Sequence, residues 1–175
     1  NVIDSDKWAK LARQDIQIGS WMIFAVDISP NRDRASIGAA GLASAFTAVE
    51  VIESENRIGW VKDRIIQLYE KWKMPIVIDS GAAASSLIGE LEEAGIEVIA
   101  VNMRQYGQAC GSFYDAVEEG TIAHLGDVRL QTAVDNATRR KLGEQWAWSR
   151  KSDADITPLV AVTLARFALV NGLTT

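Results

Sequence analysis

The spacing of apolar residues changes along this chain, and each change predicts a type of element. Three segments rich in β-forming residues come first, over 21–27, about 35–42 and about 45–52. The intervals between them are too short for crossover helices, so they predict an antiparallel meander. Pro30 begins the sequence Pro-Asn-Arg-Asp, which predicts the first turn.

After residue 53 the apolar spacing becomes helical and then alternates with short apolar runs. It predicts helix over about 58–73, strand over 75–79, helix over about 83–94 and strand over 96–101. A strand, a helix and a strand in this order predict that the two strands are parallel. The rest of the chain predicts these elements: helices over about 105–119 and 127–141, a strand over 144–150, and a largely apolar helix over 158–170.

This order is βββ-α-β-α-β-α-α-β-α, with the meander first. An antiparallel start followed by parallel strands with helices is the mixed-sheet order of ribonuclease H-like α/β folds. In that fold the first strand is central and the fourth pairs beside it. We therefore predict one ribonuclease H-like domain over 21–175, with 1–20 as a linker remnant or an entry helix around 8–13.

Two of the predicted strands end in aspartate. Asp27 ends the apolar run that starts at Trp21, and Asp79 ends the run that starts at Met74. Because a buried carboxylate without a partner is costly, proteins seldom place one there without a ligand. Two such carboxylates on neighbouring strands predict a divalent-metal site.

A third acid is expected near the last helix. Hydrolysis of a phosphodiester by two Mg²⁺ or Mn²⁺ ions needs several converging carboxylates. Asp155 precedes Thr157 and Pro158, which form a predicted N-cap and first-turn proline. Asp155 is therefore predicted to be free for metal, with Asp153 as the alternative.

Each of these residues also has a structural interpretation. Asp27 fits a turn, Asp79 an Asx-type contact with the next turn, and Asp155 the start of a helix. The only histidine, His124, stands in an apolar segment, where a hydrogen-bonded structural role is favoured over that of a ligand or proton shuttle. Cys110 has no nearby base and is typical of a core residue.

Composition fits a globular protein and gives weak evidence about nucleic acid. The 175 residues are 48% hydrophobic and carry a net charge of −5, which argues mildly against binding of DNA by bulk charge. No apolar stretch is long enough to span a membrane. The candidate phosphate-binding residues, which equally fit solvated surface charges, are Arg32, Arg34, Arg139, Arg140, Arg150 and Lys151.

Several of these segments resemble the C-terminal nuclease domain of the large terminase subunit of tailed bacteriophages. The resemblance covers most of 21–169. It rests on Ala-Val-Asp-Ile-Ser-Pro at 25–30, Val-Ile-Asp at 77–79, and Trp-Ala-Trp-Ser-Arg-Lys at 146–151 leading into Asp-Ile-Thr-Pro at 155–158. It implies a ribonuclease H-like, metal-dependent endonuclease that cuts concatemeric double-stranded phage DNA during packaging.

The resemblance also implies ligands and partners. Asp27 and Asp79 match the family's first two metal-binding acids, which bind two Mg²⁺ or Mn²⁺ ions. Many terminases place the third acid inside the last helix, but 159–169 contains none, so Asp155 is the choice. His124 is a possible accessory residue. The implied partners are double-stranded DNA, an N-terminal ATPase domain, the small terminase subunit and the portal, in the host bacterial cytoplasm.

Two other functions stay open on the sequence. One is a different ribonuclease H-like nuclease, such as a resolvase or integrase-like enzyme. The other is a non-catalytic module that docks DNA or the packaging motor, with structural acids. An actin-like or sugar-kinase fold is disfavoured because the chain lacks a second copy of the motif and glycine-rich phosphate loops.

Overall fold

A six-stranded mixed sheet forms the centre of the protein. The computed structural model describes residues 1–16 and 21–173. The strands are β1 Met22–Ile28, β2 Ala35–Ala43, β3 Phe46–Glu55, β4 Ile76–Asp79, β5 Val98–Val101 and β6 Ile122–His124. Their order across the sheet is β5-β4-β1-β2-β3-β6.

The pairing of these strands confirms the predicted mixed sheet. β1, β2 and β3 form an antiparallel meander, and β4 lies parallel to both β1 and β5. β1 is therefore central, and all seven of its residues are buried. β6 runs parallel to β3 at the far edge and was not predicted, since three residues are too few to show a period.

Helices cover both faces of the sheet. They are α1 Ser5–Lys10, α2 Val61–Trp72, α3 Ile88–Glu93, α4 Met103–Glu119, α5 Val128–Asp135 and α6 Thr157–Asn171, with a 3₁₀ turn over Ala83–Leu87. One core lies between the sheet and α4, α5 and α6, and the other lies under α2 and α3. α6 is buried without interruption from Thr157 to Leu169, which explains its apolar sequence.

The predicted helix over 127–141 is wrong in its last part. α5 ends at Asp135, and β7 (Arg139–Leu142) pairs with β8 (Gln145–Trp148) as an antiparallel hairpin. Gly143 has a φ of +62°, which glycine adopts without steric cost and which allows the tight reversal. The hairpin packs on α4, and β8 confirms the strand predicted there.

α6 lies against the sheet at Gly38 of β2. A methyl group at Gly38 would stand 2.9 Å from the backbone nitrogen of Val162 and 2.9 Å from its Cγ1. These distances are shorter than van der Waals contact, so only glycine permits this approach. The approach fixes the position of the start of α6 relative to β1 and β2.

The N-terminal residues pack on the same core. Ile3 and Trp8 have no exposed surface, and α1 contacts α4 and α5. The origin of 1–20 in a linker stays a prediction, and 17–20 lie outside the described residues. Across 1–16 and 21–173, none of the helices has the length and apolar character that crossing a membrane requires.

Candidate active site

The parallel pairing of β1 and β4 brings Asp27 and Asp79 together. Phe24 pairs with Ile76 and Ala25 with Val77, so the two aspartates lie level with one another two residues further on. Side chains two residues apart on a strand lie on the same face of the sheet. Both carboxylates are buried, with 1% and 5% of their side-chain surfaces exposed.

Arg150 lies between these two carboxylates. Its Nη2 is 3.1 Å from Asp27 Oδ1 and 3.1 Å from Asp79 Oδ2, and its Nε donates to Asp27 Oδ1 at 3.2 Å. Its guanidinium stands 4.7 Å from the centre of the Tyr106 ring. Only 13% of the Arg150 side chain is exposed, so the predicted role of Arg150 on a phosphate-facing rim is not what this conformation provides.

Burial and Arg150 set the protonation of the site. Burial raises the pKa of the Asp27 carboxyl to about 6, although the charge and hydrogen bonds of Arg150 oppose the shift. Burial alone would lower the pKa of Arg150, but the nearby Asp27, Tyr106 and Asp79 keep it above its ordinary value. The two acids thus share one guanidinium, which is 3.1 Å from an oxygen of each.

The structural alternatives for the two strand-end acids have different outcomes. The Gly81 N–H donates to Asp79 Oδ1 at 2.9 Å, which is the Asx-type contact considered from the sequence. The turn after Asp27 is instead held by Ser29, whose Oγ donates to Asp33 Oδ1 at 2.8 Å and accepts from the Arg34 N–H at 3.0 Å. The hydrogen bonds described for Asp27 go to Arg150.

The prediction that Asp155 is free of capping is wrong. Thr157 is the first residue of α6 rather than its N-cap, and its N–H and Oγ1 donate to Asp155 Oδ1 at 2.9 and 2.6 Å. Thr157 Oγ1 also lies 2.7 Å from Ser36 Oγ on β2. Asp155 still lines the same groove as Asp27, and its charge contributes to the raised pKa of the Asp27 carboxyl.

A groove of about 400 Å³ opens beside Asp27. The acids on its walls include Asp27, Asp33, Asp153 and Asp155, and its cations are Arg34, Arg150 and Lys151. Arg32 stands on the same loop, exposed, with Nη1 3.2 Å from the Ala83 carbonyl oxygen. The groove thus combines the buried Asp27 and the largely buried Arg150 with exposed acids, Asp33 and Asp153, and the exposed cation Lys151.

The other predicted residues lie elsewhere. Arg139, Arg140 and Lys141 are exposed on β7, where Arg139 lies 4.2 Å from the Trp146 ring centre. His124 ends β6, which β2 and β3 separate from β1. Its Nε2 is 2.7 Å from the Trp8 carbonyl oxygen, its Nδ1 accepts from a backbone N–H, and its ring stacks on Trp8. His124 is therefore structural here.

The donor set suits a hard divalent cation, but the arrangement is that of an ion pair. Carboxylate oxygens are the preferred ligands of Mg²⁺; Asp27 and Asp155 line the groove, and Asp79 lies on the other side of the Arg150 nitrogen that contacts Asp27. Within 1–16 and 21–173, no three carboxylate, imidazole or thiol side chains converge as a ready metal site. The nitrogen between Asp27 and Asp79 belongs to Arg150.

Solved structures show which proteins share this architecture. No protein-family model and no curated protein sequence matches the chain. The large terminase of bacteriophage HK97 matches with a TM-score of 0.78 at 13% identity, over 96% of this chain and 43% of that one. The large terminase nuclease of thermophilic phage G20c with bound magnesium matches with a TM-score of 0.69 at 16% identity, over 94% and 95%.

The chain has the fold of a large terminase nuclease domain. The nuclease domain of Thermus phage P74-26 adds a third example, with a TM-score of 0.62 at 16% identity over 88% of this chain and 80% of that one. The ribonuclease H-like fold class and the resemblance to terminase nucleases are confirmed at the level of the fold. The chain spans less than half the length of the HK97 terminase.

The sequence did not reveal the partners of the two aspartates. Tyr106 beneath Arg150, and the link from Ser36 to Thr157, join residues far apart in the chain. For Arg150 a signal was present, because it ends the strand predicted at 144–150 and two buried carboxylates need a cation. The basic residues near it in the sequence predicted an exposed, phosphate-binding position for Arg150 instead.

Proposed function

We propose that this chain is a metal-dependent endonuclease domain that cuts concatemeric double-stranded phage DNA during genome packaging. The observation that carries the proposal is the pair Asp27 and Asp79, level on adjacent parallel strands beside a groove. The fold shared with terminase nucleases supports it, including the G20c nuclease solved with bound magnesium, cobalt or zinc.

In this proposal the acids of the groove hold two Mg²⁺ or Mn²⁺ ions. Asp27, Asp79 and Asp155 would be the ligands, with Asp153 as the alternative third acid. When bound, such ions lower the pKa of a water nucleophile and stabilise the leaving 3′-oxygen. Burial of Asp27 and Asp79 fixes their rotamers, because packing around them leaves little freedom.

Basic side chains would position the DNA backbone. Arg34 and Lys151 line the groove beside the acids, and Arg32 stands on the adjoining loop. Arg139, Arg140 and Lys141 extend a basic surface along the exposed strand β7. Contacts of this kind bind phosphates without reading sequence. In a full-length terminase the ATPase domain, the small subunit and the portal would hold the DNA, in the cytoplasm of the host.

Substitution of the two strand-end acids tests the proposal. We expect Asp27→Asn and Asp79→Asn to lower Mn²⁺- or Mg²⁺-dependent nicking of plasmid DNA by at least about 100-fold, because each removes a charged metal ligand. Asp115→Asn is the matched control, since Asp115 is exposed on α4, and it should cleave like the unsubstituted chain. Full nicking by Asp27→Asn would rule out the assigned site.

A second candidate is a non-catalytic module that docks DNA or the packaging motor. The observation that favours it is the buried ion pair itself, because Arg150 already neutralises part of the charge on Asp27 and Asp79. This candidate predicts no cleavage and no Mn²⁺ binding at millimolar concentration. A different ribonuclease H-like nuclease would instead cleave branched DNA or RNA–DNA hybrids preferentially.

A further inference from the structure

The guanidinium of Arg150 is held on several sides. Asp27 accepts from its Nε and lies 3.1 Å from Nη2, Asp79 accepts from Nη2, and the Tyr106 ring lies 4.7 Å from its carbon Cζ. The Tyr106 hydroxyl is itself fixed, because it donates to the Trp148 carbonyl oxygen at 3.2 Å. Arg150 is thus an internal cation in a site with matching partners.

A metal ion and this guanidinium need the same space. An Mg²⁺ ion bridging two carboxylates takes oxygens at roughly 2.0–2.1 Å. Here the facing oxygens of Asp27 and Asp79 each lie 3.1 Å from one nitrogen, which stands between them. A bridging metal therefore requires Arg150 Nη2 to leave.

The surrounding chain gives Arg150 a way to leave. Residues 149–156 connect β8 to α6 without helix or strand. The Ser149 N–H donates to the Thr138 carbonyl oxygen at 2.8 Å, and after it the described bonds of the Lys151 and Ala154 N–H groups are local, to Ser149 Oγ and Ser152 Oγ. Arg150 borders the groove, whose lining also includes the exposed Asp153, an acid that could accept a displaced guanidinium.

We propose that Arg150 is a built-in competitor of the divalent metal, which occupies the site between Asp27 and Asp79 until a metal ion displaces it. This inference rests on the proposed function, since it concerns the same metal ligands. It adds that loading is an exchange of cations. The apparent dissociation constant of the metal is then the intrinsic constant divided by the fraction of molecules in which Arg150 has left the site.

Calorimetric titration of the 175-residue chain with Mn²⁺ tests the competition. Arg150→Gln removes the competing cation, and we expect it to bind Mn²⁺ about tenfold or more tightly than the unsubstituted chain. Arg104→Gln is the matched control, because it removes the same charge from an exposed position on α4, and its affinity should be unchanged. Arg150→Gln binding no tighter than the unsubstituted chain would overturn the inference.

A second measurement observes Arg150 directly in the unsubstituted chain. In the unsubstituted chain labelled with ¹⁵N, the Arg150 Nε–H signal should be protected from exchange with water while Asp27 accepts from it. Saturation with Mg²⁺ should move this signal and speed its exchange. A signal that keeps its position and protection at saturation would contradict displacement, and Arg150→Lys identifies the signal by removing it.

The failures of the two proposals are distinguishable. Equal Mn²⁺ affinity of the unsubstituted chain and Arg150→Gln overturns only the competition and leaves the metal site standing. Absence of Mn²⁺ binding in both overturns the competition and the proposed metal site together. Asp27→Asn should bind Mn²⁺ at least tenfold more weakly than either, which assigns the measured heat to this site.

Discussion

Two buried polar groups lie at strand ends of the same sheet, and they are satisfied in different ways. At β6, the ring of His124 contacts the backbone of Trp8 at 2.7 Å and that of Gly126 at 3.0 Å. At β1 and β4, Asp27 and Asp79 instead share the side chain of Arg150, although Asp79 also accepts from one backbone N–H. One centre is a neutral imidazole, and the other is a salt-bridged cluster of two acids and one arginine.

The difference separates a structural group from an exchangeable one. Because Gly126 N–H donates to Nδ1, the His124 proton lies on Nε2 and is donated to Trp8, so the ring is neutral. Burial also lowers the pKa of His124, although the bond to Trp8 opposes it. Backbone partners move only when the chain opens, whereas the Arg150 side chain can rotate. A buried group whose partner is a charged side chain on a loop is therefore the better candidate for ligand exchange.

The largest expected effect is loss of Arg150 in the metal-free protein. Arg150→Met leaves two buried carboxylates without their cation, which in general costs about 3–5 kcal/mol of unfolding free energy. The exposed Arg140→Met should cost less than about 0.5 kcal/mol. Urea denaturation at neutral pH with a chelator measures the unfolding free energy of both variants. Similar losses would show that Arg150 stabilises the fold no more than an exposed arginine does.

The pH dependence of stability tests the charged centre next. Because the pKa of Asp27 is raised to about 6 in the folded chain, the folded state binds the extra proton between about pH 4 and 6. The stabilisation of the folded state by this proton is fully present below that range, and it falls by about 3 kcal/mol as pH rises through 6. Asp27→Asn should lack this slope in urea denaturation between pH 4 and 7, and parallel profiles would contradict the prediction.

The neutral centre should show a smaller effect on stability. His124→Ala removes two hydrogen bonds and the stack on Trp8, whose ring centre is 4.0 Å away, at a cost of about 2–3 kcal/mol. Mn²⁺ affinity should stay within about twofold, since His124 lies three strands from Asp27. Gln108→Ala, exposed on α4, is the control. A large loss of Mn²⁺ binding by His124→Ala would revive an accessory role.

Most of the fold could be predicted from local patterns of apolar residues. The apolar run ending at Asp27, and the run ending at Asp79, gave two parallel strands whose pairing follows from the order of elements. The pattern failed where it was short or ambiguous. β6 has three residues, and Arg139–Leu142 consists of good helix formers that nevertheless pair with β8.

The site was less predictable because its partners come from distant parts of the chain. Strand ends located Asp27 and Asp79, but nothing local showed that Arg150, 123 residues after Asp27, would lie between them. The capping role of Asp155 was misjudged because Thr157 resembles an N-cap in sequence, while in the structure it is already inside α6. The role of each residue depends on where the fold places it, which the local sequence does not show.

Gly38 has a consequence for how this sequence can vary. Replacement of glycine by alanine often stabilises a protein by restricting the unfolded chain, so drift under selection for stability alone would favour it. At position 38 the added carbon would push against Val162 and lift the start of α6 from β2. A residue with no side chain thus constrains how this sequence can drift, because α6, the helix that follows Asp155, packs on β2 at that contact.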